Sequence, residues 1–427
     1  MDEPNVLRRA FTIAAGCLVA LALGAAIFLP TPDPDKRAGA LAITNALAFD
    51  GEFWWEDATL LIENGRVVAL GSEVGIPTHA RTIDVGGATI LPGLIDAHVH
   101  SYGDALTQQL RFGVTTVLDM FTAPGSLPAS RDARDSLAPS SRADRFSAGM
   151  LATVAGGHGS QFGVPIEAID ASTDIEKWVA DRLSEGSDYI KLVYIPYQRR
   201  LPSLTLATAK TLIDAAHDAG VMAVAHVSSG RGAQDMVAAG ADGLVHIWAD
   251  KPVDDAFIDA ALAADIFVIP TLAVFATAER SGEGVRLAED PNFEDRLTDA
   301  QAASLRSDFG LRIPGMRLQA AIDNTRRLHD AGIPILAGSD APNPGTAHGP
   351  SLHHELELLV RAGLSPAEAL SAATVVPAER FNLQGRGELT EEARADFIVV
   401  DGDPREDPTA TRALRHVFKN GADIPLD

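Results

Sequence analysis

Read for the alternation of apolar and polar positions, the chain divides into distinct stretches. Residues 10–29, AFTIAAGCLVALALGAAIFL, are uncharged and apolar all round, and residues 30–39 form a linker rich in proline and charge. From 40 to 90 the pattern shortens to strand-like runs, ALAITNALAFDG and ATLLIENGRVVALGS, the second with an Asn64-Gly65 hairpin turn. Similar signals return in ADFIVVDGDP and HVFKNG, so 40–90 and 385–427 are expected to pair into a small β-sandwich. The middle, 91–384, alternates short β-branched runs with amphipathic stretches such as LATAKTLIDAAHDAG. Its strands are expected to end at His100, Met120, Ala152, Tyr194, Val227, Trp248, Phe275 and Asp340. Eight strand-then-helix units imply an α/β fold, a (β/α)8 TIM barrel, with its site at the C-terminal ends of the strands. The spacing of 69 residues from Thr271 to Asp340 exceeds the roughly 35 that one unit needs. An insertion at 277–315 is therefore expected over the barrel mouth, as a lid, a solvated excursion or an oligomer contact.

As a helix, the run at 10–29 spans roughly 30 Å, the thickness of a bilayer core. Arg8-Arg9 close the short flank 1–9 before it, which favours a cytoplasmic N-terminus. The favoured reading is an uncleaved hydrophobic anchor helix, with a cleaved signal segment and a buried helix as alternatives. The run is longer than a signal's apolar core and ends in Ile-Phe-Leu-Pro rather than a small-x-small site. Anchor or signal, the folded body is expected outside the cytoplasm, in the periplasm or at the cell surface.

Composition narrows the chemistry. The 427 residues carry 35 Lys+Arg against 58 Asp+Glu, a formal charge of −23, with 46% hydrophobic residues and one cysteine. An acidic body lacks the basic footprint of a nucleic-acid binder. The lone Cys17 lies in the apolar run, which excludes a disulfide framework and a cysteine-rich metal site. A phosphate-binding Gly-rich loop, a dinucleotide fingerprint and a Ser nucleophile elbow are also absent from the sequence.

The sharpest local signal is ATILPGLIDAHVH, residues 88–100, where an apolar strand ends in His98-Val99-His100. Alternation along a strand sends both imidazoles to one side. Further candidates stand at later strand ends: Lys191 in DYIKLVYIP, His226 in VMAVAHVSS, His246 in GLVHIW and Asp340 in IPILAGSDAP. Each alone reads as a core histidine or a capping aspartate. As a set they gain their weight from a family resemblance carried by the run before His98. Imidazole and carboxylate suit zinc, with manganese or iron as competitors.

The Pro-Gly-Leu-Ile-Asp-Ala run before His98, with this order of later residues, resembles the amidohydrolase superfamily. The resemblance is to its binuclear-metal branch, which holds imidazolonepropionase-like proteins and Xaa-Pro dipeptidases. It spans about 40–427, and residues 349–383 are similar to the segment following the last barrel strand in that family. In the family's Gly-x-Leu-x-x-Gly-x-x-Ala-Asp turn, Glu392 replaces the second glycine. The resemblance implies two divalent ions, zinc foremost. His98, His100 and Asp340 would hold the first, His226 and His246 the second, and a carbamylated Lys191 would bridge them. It also implies that Asp340 is both ligand and general base.

Other residues are candidates to read the substrate. In Gly156-Gly157-His158-Gly159 the glycines let backbone approach a ligand, and His158 is expected to contact substrate or transition state. Tyr194, Tyr197 and Arg199-Arg200 follow Lys191. A phenol can donate to a developing oxyanion, and an arginine can clamp a carboxylate. His348 lies in the loop after Asp340. The expected activity is cleavage of a C–N (amide) bond in a small peptide or N-acyl amino acid by metal-activated water. A lactonase or phosphotriesterase on the same binuclear site is one alternative, and a non-catalytic binding protein on the same fold is another. The expected partners are a small-molecule or short-peptide substrate, a membrane through 10–29, and another copy of the chain as in the symmetric assemblies common among relatives.

Overall fold

The structure, a computed structural model, describes residues 39–198, 201–310 and 315–426. The expected anchor at 10–29 and the pair Arg199-Arg200 lie outside the described residues. Among the described residues no helix is long and apolar enough to cross a membrane.

The chain opens with β1 (Leu41–Phe49), β2 (Trp54–Glu63), β3 (Arg66–Gly71), β4 (Arg81–Asp84) and β5 (Thr89–Pro92). The body carries β6 (Leu94–Val99), β7 (Val114–Asp119), β8 (Asp144–Ser147), β9 (Ile190–Val193), β10 (Ala223–His226), β11 (Gly243–Val245) and β12 (Phe267–Ile269). The chain closes with β13 (Phe397–Val400), β14 (Leu414–Lys419) and β15 (Ala422–Ile424).

Strands from both chain ends pair, as their alternation predicts, in the order β15-β14-β13-β5-β1-β2-β3 with β4 also on β1. Hydrogen bonds join them into one branched sheet of eight strands. The cause lies in β1. Asn45 takes a left-handed φ of 57°, and the register against β2 shifts on either side of Ala46. The bent strand pairs with β4 along 41–44 and with β5 at Leu47 and Ala48, so it belongs to both branches. The sheet wraps a cluster that includes Ile43, Leu60, Ile62, Ile90, Phe397 and Phe418. Pro92 leads into the body through Gly93, where a Cβ would lie 2.3 Å from Thr115 Oγ1.

In the body, β6-β7-β8 and β9-β10-β11-β12 form two parallel sheets. Isolated parallel bridges link Ala152 to Leu192, Val268 to Ile335 and Val99 to Ala341. The last expected strand, ending at Asp340, is therefore held by single bridges rather than a ladder. Ile95, Leu118, Val224, Val245, Ile269 and Leu336, drawn from both sheets and this last segment, share one apolar cluster. Burial of each such side chain contributes about 1.5–3 kcal/mol. Helices Ile175–Glu185, Leu206–Asp218, Gly230–Ala239 and Asp255–Ala263 begin at Asp174, Thr205, Ser229 and Asp254, whose side chains each accept a first-turn N–H.

Strands β6, β7, β9 and β10 end within one residue of expectation, β11 stops at Val245, three residues before the expected Trp248, and two others depart further. The third strand stops at Ser147, and Ala152 enters only as a bridge. Phe275 lies in the helix Leu272–Ala278 rather than at a strand end. Thr271 turns to a left-handed φ of 53°, and buried Glu355 accepts the N–H groups of Leu272 (2.9 Å) and Ala273 (2.7 Å). Burial pushes the Glu355 carboxyl up to about 8, and its two oxygens satisfy two free N–H groups at the start of a helix. The described part of 277–315 packs inward, with Leu287, Phe293 and Leu305 in the main core. Gln301 Nε2 donates to His348 O (2.8 Å) and Ser304 Oγ to Thr346 O (2.7 Å), so this segment braces the loop after Asp340.

Candidate metal centre

The expected ligands converge from separate segments: His98 and His100 from the end of β6, Lys191 from β9, His226 from β10, and His246 just after β11. Asp340 follows the bridged segment beside β6, where its N–H donates to His98 O at 2.8 Å. His98 Nε2 and His100 Nε2 each lie 3.2 Å from Asp340 Oδ1. His98, His246 and Asp340 each offer a ligand atom within 4.8 Å of the others. The ring of His226 lies 4.4 Å from that of His246 and 4.6 Å from that of His158.

Two of these residues bend the backbone. His246 (φ 71°) and Asp340 (φ 52°) take left-handed conformations uncommon for residues with a side chain, at a cost of about 1 kcal/mol or more each. Local bonds hold them there. His246 Nδ1 lies 2.7 Å from Thr271 Oγ1 and 3.9 Å from Asp340 Oδ2.

Burial sets the charges. It lowers His98 and His158 to about 4 and holds His226 and His246 well below the ordinary imidazole range. Burial opposes ionisation of Asp340, but the neighbouring imidazoles outweigh it and hold the carboxyl well below the usual range. Lys191 is 2% exposed, and burial pulls its ammonium down to about 7 against the opposing charge of Asp340. Neutral imidazoles around one ionised carboxylate are a donor set suited to a dication. His98 Nδ1 and His100 Nδ1 are buried without a hydrogen-bond partner among the described residues. Their Nε2 atoms, on the other side of each ring, converge on the single oxygen Asp340 Oδ1, where a cation would satisfy lone pairs that otherwise face one another. The residues present therefore fit a divalent metal.

The sequence profile of the amidohydrolase family matches residues 89–422, from β5 through the start of β15. The chain belongs to that family. It is 26% identical to an imidazolonepropionase of Deinococcus radiodurans, over 93% of this chain and 97% of that protein. It is 27% identical to an adenine deaminase of Methanoregula boonei, over 86% of this chain and 56% of that protein. A solved structure of a putative prolidase from Bifidobacterium longum superposes with a TM-score of 0.70 at 26% identity, over 90% of this chain and 94% of the other. This amidohydrolase is thus a hydrolase of carbon–nitrogen bonds.

The expected substrate contacts fare unevenly. His158 reaches the centre, against His226. Tyr194 does not: its hydroxyl donates to Asp235 Oδ2 (2.9 Å), as does that of Tyr197 (2.7 Å). Arg231 Nε holds the other oxygen of Asp235 at 3.2 Å, so the expected oxyanion donor is tied to the helix Gly230–Ala239. Tyr197 is half exposed beside it. His348 is buried, with Nδ1 3.4 Å from Gln109 Nε2, and burial first, then the charge of nearby His100, oppose its protonation. Arg199 lies outside the described residues.

Asp96, in the Pro-Gly-Leu-Ile-Asp-Ala run, is a functional residue that the strand-end pattern does not pick out. Its Oδ1 accepts the N–H groups of Ser339 (2.9 Å) and His98 (3.2 Å), and its Oδ2 accepts Ser339 Oγ (2.6 Å) and Gln109 Nε2 (3.2 Å). Burial pushes its carboxyl up to about 6 against these bonds. Gln161 and Phe162, on the loop beyond His158, were missed as well. Phe162 is 44% exposed and lies 6.2 Å from the ring of His100.

Proposed function

We propose that this amidohydrolase is a binuclear metal enzyme that cleaves the amide bond of a small peptide or N-acyl amino acid. The observation that carries the reading is Asp340 Oδ1 at 3.2 Å from both His98 Nε2 and His100 Nε2, with further imidazoles beside them. Its likeness to imidazolonepropionase and prolidase proteins over nearly the whole body supports a C–N substrate. The bridges that link the two parallel sheets, and the apolar cluster they share, support a closed (β/α)8 barrel with this centre at its mouth.

In this reading His98, His100 and Asp340 would hold one ion, His226 and His246 would hold a second, and a carbamylated Lys191 would serve both. Zinc fits the donors. Bound ions would supply Lewis acidity and bring the pKa of a water toward neutrality. The chain's own groups do the rest. Asp340, kept ionised, accepts the water's proton at its carboxylate and returns it to the leaving nitrogen. His158 contacts the substrate carbonyl. Lys191, with a pKa near 7, has a neutral amine fraction at neutral pH; that amine adds to CO2 and releases one proton. Residues 10–29 we assign to a membrane anchor that places the body outside the cytoplasm, on the length of their uncharged run.

The test is a screen of zinc-loaded protein on dipeptides and N-acyl amino acids beside lactones and aryl phosphotriesters. Hydrolysis of amides, lost in Asp340→Asn, is expected. Turnover confined to lactones or phosphotriesters would reverse the assignment.

A further inference from the structure

The loop that carries His158 contains a hydrogen-bonded chain whose directions are fixed. Gly159 N–H points at Gln161 Oε1 over 2.8 Å. A backbone N–H only donates, so the atom facing it must be the amide oxygen. The other end of the same amide, Gln161 Nε2, lies 3.2 Å from His158 Nδ1. An amide NH2 only donates, so His158 Nδ1 accepts. A neutral imidazole whose Nδ1 accepts carries its proton on Nε2.

The backbone makes this closure possible. Gly159 sits at φ 103°, a region that side-chain-bearing residues avoid, and it folds the loop back so that one glutamine reaches both partners. The ring of His158 is held on other sides too. His226 lies 4.6 Å away, and the ring of Phe162 stands at 90° to it at 5.8 Å. Phe162 also lies over His100, so an apolar side chain covers the same part of the centre. An imidazole held in place with one defined N–H is a preorganised donor, the kind of group that stabilises charge developing on an oxygen.

We propose that Gln161 is a positioning residue: it fixes His158 as the Nε2–H tautomer, so that Nε2 donates to the amide carbonyl oxygen as that oxygen gains negative charge. This deepens the proposed function and rests on it for the identity of the substrate oxygen. The tautomer itself follows from the geometry alone.

The experiment compares wild type, Gln161→Glu and Gln161→Met as zinc-loaded protein labelled with 15N-histidine, with the His158 signal assigned by its loss in His158→Asn. In the wild type, His158 should show an unprotonated Nδ1 and a protonated Nε2. A glutamate at 161 still accepts from Gly159 and now also demands a proton on Nδ1, so Gln161→Glu should move the proton there. Its kcat on the best amide substrate should fall about 10²-fold with KM little changed, the scale of one lost oxyanion donor. Gln161→Met, which leaves both tautomers open, should fall less. A wild-type proton on Nδ1, or a Gln161→Glu protein that keeps Nε2–H, overturns the proposal. If the tautomers behave as stated but the wild type cleaves no amide, the proposed function fails and the donor role fails with it, while the tautomer assignment stands.

Discussion

Asp96 accepts both the backbone N–H (2.9 Å) and the hydroxyl (2.6 Å) of Ser339, and so clamps β6 to the segment that ends in Asp340. The same carboxylate takes the N–H of His98, so one buried side chain sets the spacing between two ligand-bearing segments. Asp96→Ala leaves Ser339 and Gln109 without their acceptor. It should cost about 1–3 kcal/mol of stability and weaken metal affinity about 10–100-fold. Titration of zinc into apo-protein checks this, and unchanged affinity would remove Asp96 from the support of the centre.

Lys191 gives a chemical prediction with a definite sign in pH. Its ammonium, pulled down to about 7 by burial, is mostly neutral above that pH and mostly charged below it. Only the neutral amine adds to CO2. Protein exchanged into 13C-bicarbonate should therefore show a carbamate carbon signal at pH 8 that fades at pH 6 in the absence of metal. Lys191→Ala should lack the signal and bind fewer ions per chain. A carbamate signal that persists in Lys191→Ala would place it on another lysine.

The terminal sheet and the parallel body meet at a buried charge cluster. Asp144, which opens β8, bonds Arg386 (2.9 and 2.8 Å) and lies 3.0 Å from Lys419 of β14. Removing one partner strands buried cations, so Asp144→Ala should lose about 3–5 kcal/mol. The exposed pair Lys177–Asp181 makes a control, and Asp181→Ala there should leave stability nearly unchanged, because solvent screens the pair. Denaturant unfolding measures both. A similar small loss at the two sites would mean that the cluster does not hold the sheet to the body.

How much of this was legible follows from what each signal depends on. The ligands were readable because each follows a short apolar run, and His98, Lys191, His226 and Asp340 stand where that rule puts them. Strand seven was misread because Leu272–Ala278 is buried on every side. An apolar run without alternation does not separate strand from helix, and the deciding group, Glu355, lies 83 positions away. Tyr194 was misjudged for a like reason: its partner Asp235 lies on a helix 41 positions downstream. The branching at Asn45 was hidden because an asparagine inside a strand-like run does not announce a left-handed bend. Short-range pattern fixes which residues stand on the rim; long-range partners decide which way their polar atoms face.

His353 carries a pH prediction remote from the centre. Its Nε2 lies 2.8 Å from Phe112 O and its Nδ1 3.0 Å from Thr411 Oγ1. Burial lowers its pKa from 6.5 to about 4, the bond to Phe112 opposing. The unfolded chain thus takes up the proton first as pH falls. The stability this group contributes is full above pH 6.5 and is lost on the way down to pH 4, a change of about 3 kcal/mol. His353→Gln, which keeps a donor and an acceptor, should flatten that part of the stability curve. Parallel curves for the two proteins would show that His353 does not titrate with folding.

If imidazole- and carboxylate-bound metal drives amide hydrolysis, turnover must follow the metal. The most direct measurement is turnover of the best dipeptide or N-acyl amino acid on one preparation as zinc-loaded protein, after chelation, and after zinc is returned, with bound metal quantified at each stage. Two ions per chain are expected when loaded, with activity that disappears with them and recovers on re-addition. Hydrolysis that survives complete removal of metal, or fully loaded protein that cleaves no amide, would contradict this role of the metal.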